Sequence, residues 1–140
     1  MNGFLLDTNI ICELIKPKPE PNVVRWIETT DEELLFLSVL TLGEIRRGIA
    51  ALRKGLRRVT LETWLETHLR PRFSGRILPM DEAVADRWGM VAAAAAAVGT
   101  PVPVIDGLLS ATALEHNLTL ATRNVSSVAG TGVAVFNPWS

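Results

Sequence analysis

Tyrosine is absent from this chain, histidine occurs twice and cysteine once, and each scarcity removes a class of chemistry. A single cysteine, Cys12, excludes an internal disulfide and a cysteine-built zinc site. Its apolar neighbours Ile10, Ile11, Leu14 and Ile15 predict a buried, inert thiol. His68 and His116 leave few candidates for a histidine base, and neither Ser38 nor Ser110 has the partners of a Ser-His-Asp set. His116, just before Asn117, reads as a helix end. Long apolar runs are missing as well: charge or proline interrupts each one well short of the ~18 residues that would cross a bilayer. Asp7 and Glu13 stand early, and no basic stretch precedes an apolar one, so the expectation is a cytoplasmic protein with neither leader nor membrane anchor. Net charge is also nearly absent, at −1, which taken alone argues against a polyanionic partner.

What the chain does have is apolar residues, 48% of 140, enough to fill one core but not two, so residues 1–140 are expected to form one domain. Phe4-Leu5-Leu6, Leu34 to Leu37, Leu118 to Ala121 and Val133 to Phe136 are short apolar runs of the kind that forms strands buried on both faces, and Ile77 to Pro79 is a shorter one. Helical patterns lie between them. Thr8 to Ile15 is stopped by Pro17, Pro19 and Pro21, and Asn22 to Glu28 follows. From Thr41, the residues Leu42, Ile45, Ile49 and Leu52 form one apolar stripe, and Gly55 turns the chain into a second helix from about Thr60 to His68. Asp81 caps a helix that ends in six alanines, Ala92 to Ala97, which either pack closely on a neighbour or are filler. Asp106 is expected to cap the next helix, after an extended Pro101 to Ile105. Strands alternating with helices predict an α/β fold: a mainly parallel central sheet flanked by helices, with a helical arm over about 45–76.

The charge is unevenly placed. Between Ile45 and Arg76 stand Arg46, Arg47, Arg53, Lys54, Arg57, Arg58, Arg70, Arg72 and Arg76 against only Glu62 and Glu66, so this stretch carries +7 and the remainder −8. One phosphate-attracting face accounts for that, and so does a solvated helix pair with spare arginines. Trp26, Trp64 and Trp88 sit at helical spacing from apolar residues, as core or interface side chains do. Trp64, beside the arm, is the one to test for base stacking or partner packing.

The acids follow a pattern of their own. In an open parallel sheet, ligands gather outside the carboxyl ends of the strands. Asp7 directly follows the first apolar run, Asp106 the Pro101 to Ile105 segment, and Asn124 the run ending at Thr122. Glu44 lies between Leu42 and Ile45 of the apolar stripe, early in its helix, so its carboxylate is expected at the core edge, where an unpaired charge is costly. A hard divalent cation, Mg²⁺ or Mn²⁺, would offset that cost and suit oxygen donors without cysteine or histidine. Such a site hydrolyses phosphodiesters by activating water and stabilising charge on the phosphate. Simple N-capping by Asp7 and Asp106 is the plainer alternative.

The segments Leu5-Leu6-Asp7-Thr8-Asn9-Ile10, Leu37-Ser38-Val39 with Thr41-Leu42-Gly43-Glu44-Ile45, Val104-Ile105-Asp106-Gly107-Leu108-Leu109 and Thr122-Arg123-Asn124 occur in this order. In this the chain resembles the VapC-type toxins built on a PIN domain, over essentially its whole length. The resemblance implies a Mg²⁺-dependent endoribonuclease, often a homodimer, held inactive by a VapB-like antitoxin. It implies that Asp7, Glu44 and Asp106 bind metal, that Asn124 takes a fourth catalytic position, and that Thr8, Asn9, Ser38 and Thr122 support them. RNA would then approach along Arg46, Arg47, Arg53, Lys54, Arg57 and Arg58, with His68 nearby. The chain departs from the pattern at Asn124, where many PIN domains have aspartate, and at Val125-Ser126-Ser127-Val128, where an Asp-Phe pair is common. A catalytically weakened domain that binds RNA or antitoxin is therefore the alternative, and a phosphatase or DNA nuclease using the same acids is another.

Overall fold

A computed structural model describes residues 2–140. Five parallel strands form one sheet: β1 (Phe4–Leu6), β2 (Leu35–Ser38), β3 (Ile77–Leu78), β4 (Thr119–Ala121) and β5 (Val135–Phe136), in the spatial order β3-β2-β1-β4-β5. Strand β1 occupies the centre because its apolar run is uninterrupted. Phe4 and Leu6 point into one core with Ile10, Ile11, Val23, Ile27 and Phe73, while Leu5 points into the other with Leu109, Ala113 and Leu120. Successive side chains of a strand face opposite sides, so a three-residue strand without a polar member must be covered on both. Leu5 and Leu6 are both fully buried. Truncating either to alanine would cost about 2–5 kcal/mol.

Helices α1 (Thr8–Leu14), α2 (Pro21–Thr29) and α3 (Val39–Ala50) cover the first face, joined by an arm of α4 (Leu56–Trp64), a π-helical turn (Leu65–Leu69) and α5 (Arg70–Arg72). Helices α6 (Glu82–Ala97) and α7 (Val104–Glu115) pack on each other, and α7 covers the second face. Gly107 makes the α6–α7 contact possible, since a Cβ there would stand 3.1 Å from the Trp88 ring. Of the alanine run only Ala95 is buried.

Several expectations need correction. Helix α3 begins at Val39 rather than Thr41, because the Ser38 hydroxyl accepts from the Leu40 amide and caps it two residues early. The arm's second helix begins at Leu56 rather than Thr60 and runs on through a π turn past His68. The π turn keeps both Leu65 and Leu69 in the core. Asp106 does not cap α7, and no strand precedes it: Pro103 occupies the N-cap and the helix has begun by Val104, leaving Asp106 in the first turn. Proline suits a helix start because its missing N–H is not needed there. Cys12 is exposed rather than buried, since Ile10 and Ile11 take the inward side of α1. His116 does close α7, followed by Asn117 at φ 55°, the left-handed conformation that ends helices.

Candidate active site at the sheet's carboxyl edge

The strand order fixes where a site belongs. From β1 the chain moves outward through β2 and β3 on one side, and β4 and β5 extend the sheet on the other. The reversal lies between β1 and β4, and the crevice outside the carboxyl ends of two such strands is where ligands enter open α/β sheets. Asp7 follows β1 and Thr122 follows β4. The Asp7 amide continues the ladder by donating to the Ala121 carbonyl at 2.9 Å, which holds the two side chains together.

Asp7 is buried, and its carboxylate is fixed from three sides. Oδ1 accepts from the Thr8 amide at 2.7 Å; Oδ2 accepts from the Thr122 hydroxyl at 2.7 Å and from Asn9 Nδ2 at 3.4 Å. Asn9 Nδ2 also donates to Thr122 Oγ1 at 3.3 Å, and the Asn124 amide donates to the same hydroxyl at 3.0 Å. Two carboxylate oxygens offer about four lone-pair positions. Three are filled by protein donors, so Asp7 retains room for one further ligand.

Glu44 reaches the edge from α3, half-buried, and its Oε1 accepts from the Thr8 hydroxyl at 2.5 Å. Thr8 therefore links two acids, its amide on Asp7 and its hydroxyl on Glu44. Asp106 is half-buried in the first turn of α7, a turn tied by the Ser110 hydroxyl donating to the Asp106 carbonyl. Burial raises the Asp7 pKa above the usual carboxylate range. The Thr122 and Thr8 hydrogen bonds oppose that rise, and the charges of Asp106 and Glu44 add to it. Glu44 and Asp106 thus both lie within electrostatic reach of Asp7. Among the described residues no Lys or Arg pairs with any of them.

The other expected positions differ from these. Ser38 is buried as the α3 cap. Asn124 is exposed, contributes its amide to Thr122 and accepts from Ser127 Oγ through its carbonyl. Sequence reasoning missed Glu13, a buried carboxylate that accepts from Lys16 Nζ and the Glu20 amide, both at 2.9 Å, and so closes the turn from α1 to α2. The Lys16 hydrogen bond holds its pKa below the usual range. An acid three residues before a lysine was the available signal.

The arm spends much of its charge on itself. Arg46 and Arg70 both pair with Glu66, Arg58 lies 3.9 Å from Glu62, and Arg72 and Arg76 share Glu32. Arg47, Arg53, Lys54 and Arg57 make no such pair among the described residues. Arg47 and Arg57 line two depressions that share Glu44. A neighbouring pocket lined by Ile11, Leu14 and His68 shares Ile15 and Trp64 with the depression that holds Glu44 and Arg57, whose other apolar walls are Ile45, Ile49 and Leu61. Cys12 lines that depression too, and partial burial together with the Glu44 carboxylate pushes its thiol pKa up.

The acids offer only hard oxygen donors, which is the chemistry of Mg²⁺ or Mn²⁺. Among the described residues, no three His, Cys, Asp or Glu side chains converge closely enough to cage an ion by themselves. Mg²⁺ needs no such cage, because it keeps several waters and takes one or two carboxylates. Asp7, with one free ligand position and two like charges beside it, fits that requirement.

The PIN domain family model matches residues 4–126. Toxin FitB of Neisseria gonorrhoeae is 42% identical over 136 residues, covering 97% of this chain and 98% of FitB. VapC ribonuclease Y4jK of Sinorhizobium fredii is 37% identical over 136 residues, with 97% of each covered. Among solved structures, FitAcB from Neisseria gonorrhoeae superposes with a TM-score of 0.94 at 42% identity, covering 97% of this chain and 98% of the other. DNA-bound VapBC from Salmonella typhimurium gives 0.82 at 25% identity, with 99% of each covered. This chain belongs to the PIN-domain family, and within it to the VapC-type toxins.

Proposed function

We propose that this chain is a metal-dependent endoribonuclease, the toxin of a toxin–antitoxin pair, with Asp7, Glu44 and Asp106 as its catalytic acids. The observation that carries the reading is the buried Asp7 carboxylate at the topological reversal of the sheet, with the charges of Glu44 and Asp106 acting on it and no cationic side chain among the described residues paired with any of the three. Mg²⁺, or Mn²⁺ in its place, would be held by Asp7 with Glu44 and Asp106, and when bound it supplies an activated water and charge stabilisation at the phosphate. Thr122, Thr8 and Asn9 hold the Asp7 carboxylate in one orientation, and the Thr8 hydroxyl holds Glu44. Arg47, Arg53, Lys54 and Arg57 are left to attract RNA phosphates, a sequence-independent attraction that weakens steeply with salt. Asn124, exposed and hydrogen-bonded through its main chain to Thr122 and Ser127, is assigned a minor part.

The apolar depression that holds Glu44 fits an amphipathic antitoxin segment that places a cationic side chain at the acids. The similarity of the chain to toxin FitB and to the FitAcB and DNA-bound VapBC structures supports such a partner here. Met90, Ala94 and Val98, exposed and four residues apart along α6 and its cap, suit contact with a second copy of the chain. No helix among the described residues is long and apolar enough to cross a membrane.

Antitoxin-free protein incubated with RNA, with DNA and with a small phosphomonoester, each with Mg²⁺ and with EDTA, tests the reading. Cleavage of RNA alone, abolished by EDTA, is the expected result. The uncaged arrangement of the acids favours one other reading, a weakened domain that binds RNA or antitoxin without cutting. RNA binding without Mg²⁺-dependent cleavage would establish that reading.

A further inference from the structure

Arg123 stands between two residues of the site, Thr122 and Asn124, and resembles none of the arm's paired arginines. Its guanidinium lies over the Trp139 ring, 5.3 Å from the centroid, and among the described residues it donates no hydrogen bond and joins no salt bridge. Glu13 feels its charge but is already bonded to Lys16 and to the Glu20 amide. All five guanidinium N–H donors are therefore unspent in an exposed side chain. Trp139 is itself anchored: it packs against the core, its amide donates to Asn137 Oδ1 at 2.9 Å, and its carbonyl accepts from Asn22. At the base of the side chain, the Arg123 amide points at Asn9 Oδ1, 3.5 Å away, in the network that holds Asp7.

The sheet order gives this arginine a place relative to the others. Glu44 and the arm lie beyond β2, on one side of Asp7, and Arg123 follows β4, on the other. A strand of nucleic acid drawn in by Arg47 and Arg57 and passing over Asp7 leaves the acids beside Arg123. A planar guanidinium held flat by an aromatic ring, with its donors free, suits bidentate contact to a phosphate.

We propose that Arg123, held in place by Trp139, is an RNA-phosphate contact of this site on the side of the acids opposite the arm. The inference rests on the ribonuclease reading and deepens it: Arg123 binds substrate, and Trp139 is a positioning residue that acts through it. The acids repel the strand they cut, so phosphate contacts are needed on both sides of them to hold it across the site.

The test is binding of a short fluorescein-labelled single-stranded RNA to the full antitoxin-free chain in EDTA, followed by anisotropy over a range of salt. Each phosphate neutralised contributes about 0.7 to the slope of log K against log salt for single strands. Arg123→Ala is expected to weaken binding about tenfold and to flatten the slope by about 0.7. Trp139→Ala should weaken it about threefold, with Trp139→Phe restoring most of the loss. Arg123→Lys should keep the slope while losing part of the affinity, because the charge remains and the planar stack does not. Arg87→Ala, removing a guanidinium bonded to Glu115, should change neither. If Arg123→Ala matches wild type in affinity and slope, or Arg123→Lys loses as much slope as Arg123→Ala, the inference fails and the ribonuclease reading stands. A wild-type chain that binds no RNA with or without Mg²⁺ overturns both.

Discussion

At the carboxyl edge of the sheet, Asp7, Glu44 and Asp106 come from three separate elements, the charges of Glu44 and Asp106 act on Asp7, and none of the three has a basic partner among the described residues. In the arm the position is reversed: five of the nine basic side chains, Arg46, Arg58, Arg70, Arg72 and Arg76, already pair with Glu32, Glu62 or Glu66. Folding favours opposite charges side by side, so the arm's pairs are what a stable surface produces without functional demand. An Asp7 carboxylate buried at the reversal of the sheet beside two like charges is costly to the fold, and its hydrogen bonds from Thr122 and Thr8 offset only part of the cost. Unpaired like charge is therefore the better mark of a site than a count of charges. By that measure the edge is the proposed site, and only the unpaired members of the arm are proposed to serve it.

The largest contrast should come from the acids themselves. Asp7→Asn or Asp106→Asn is expected to lower RNA cleavage by about a thousandfold or more, the scale of losing several kcal/mol of transition-state stabilisation. Circular dichroism should show the fold retained. Cleavage surviving both changes would remove these carboxylates from the mechanism.

Thr8→Val comes next. It deletes the hydroxyl that orients Glu44 and leaves the backbone amide on Asp7 untouched. A drop of about 10–100-fold in activity or metal affinity is expected, the usual effect of removing a group that orients a metal ligand. A loss confined to thermal stability would count against the orienting role.

The strain at the edge should also be visible in stability. Metal-free Asp7→Asn should melt higher than wild type by roughly 3 °C, the shift that about 1 kcal/mol produces in a chain of this size. Burial raises the Asp7 pKa above its reference value of 3.8, so in the native state the ionised carboxylate is disfavoured at neutral pH. As pH falls through that raised pKa toward 3.8, the native protein takes up a proton the unfolded chain does not yet hold, and wild type recovers stability relative to the variant. The gap between the two melting temperatures should therefore be widest near neutral pH and narrow on acidification. Saturating Mg²⁺ should stabilise wild type by about 2.7 kcal/mol at a hundredfold excess over Kd and leave Asp7→Asn nearly unmoved.

Glu66→Ala, which frees both Arg46 and Arg70, should give the smallest effect. These pairs are solvent-exposed, so the expected loss is about 0.2–1 kcal/mol in chemical denaturation. RNA binding should strengthen slightly as two guanidinium groups are released. Weaker binding would mean that the pairs themselves shape the RNA surface.

Much of the edge was readable in advance because its signals are local. Phe4-Leu5-Leu6 can only be a strand covered on both faces, and Asp7 after it must sit where that strand ends. Glu44 inside an apolar stripe must approach the core edge. Asp106 was expected to cap α7 because Pro101 to Ile105 looks extended, whereas Pro103 takes the N-cap and Val104 and Ile105 already belong to the helix. Cys12 was misplaced because four apolar neighbours do not say which side of a short helix faces inward. The arm's charge was overvalued because Glu32, which holds Arg72 and Arg76, lies some forty residues away in sequence.

Sequence by itself determined the strands, most of the helices and the kinds of residue that gather at the carboxyl edge. All of these follow from contacts within a few residues and from the need to bury apolar runs. Tertiary structure alone decided which arginines are spent and which are free, that the Thr8 hydroxyl faces Glu44, and that Trp139 lies beneath Arg123. Those facts depend on side chains meeting across the fold, and no local pattern specifies a meeting between residues 36 or 44 positions apart.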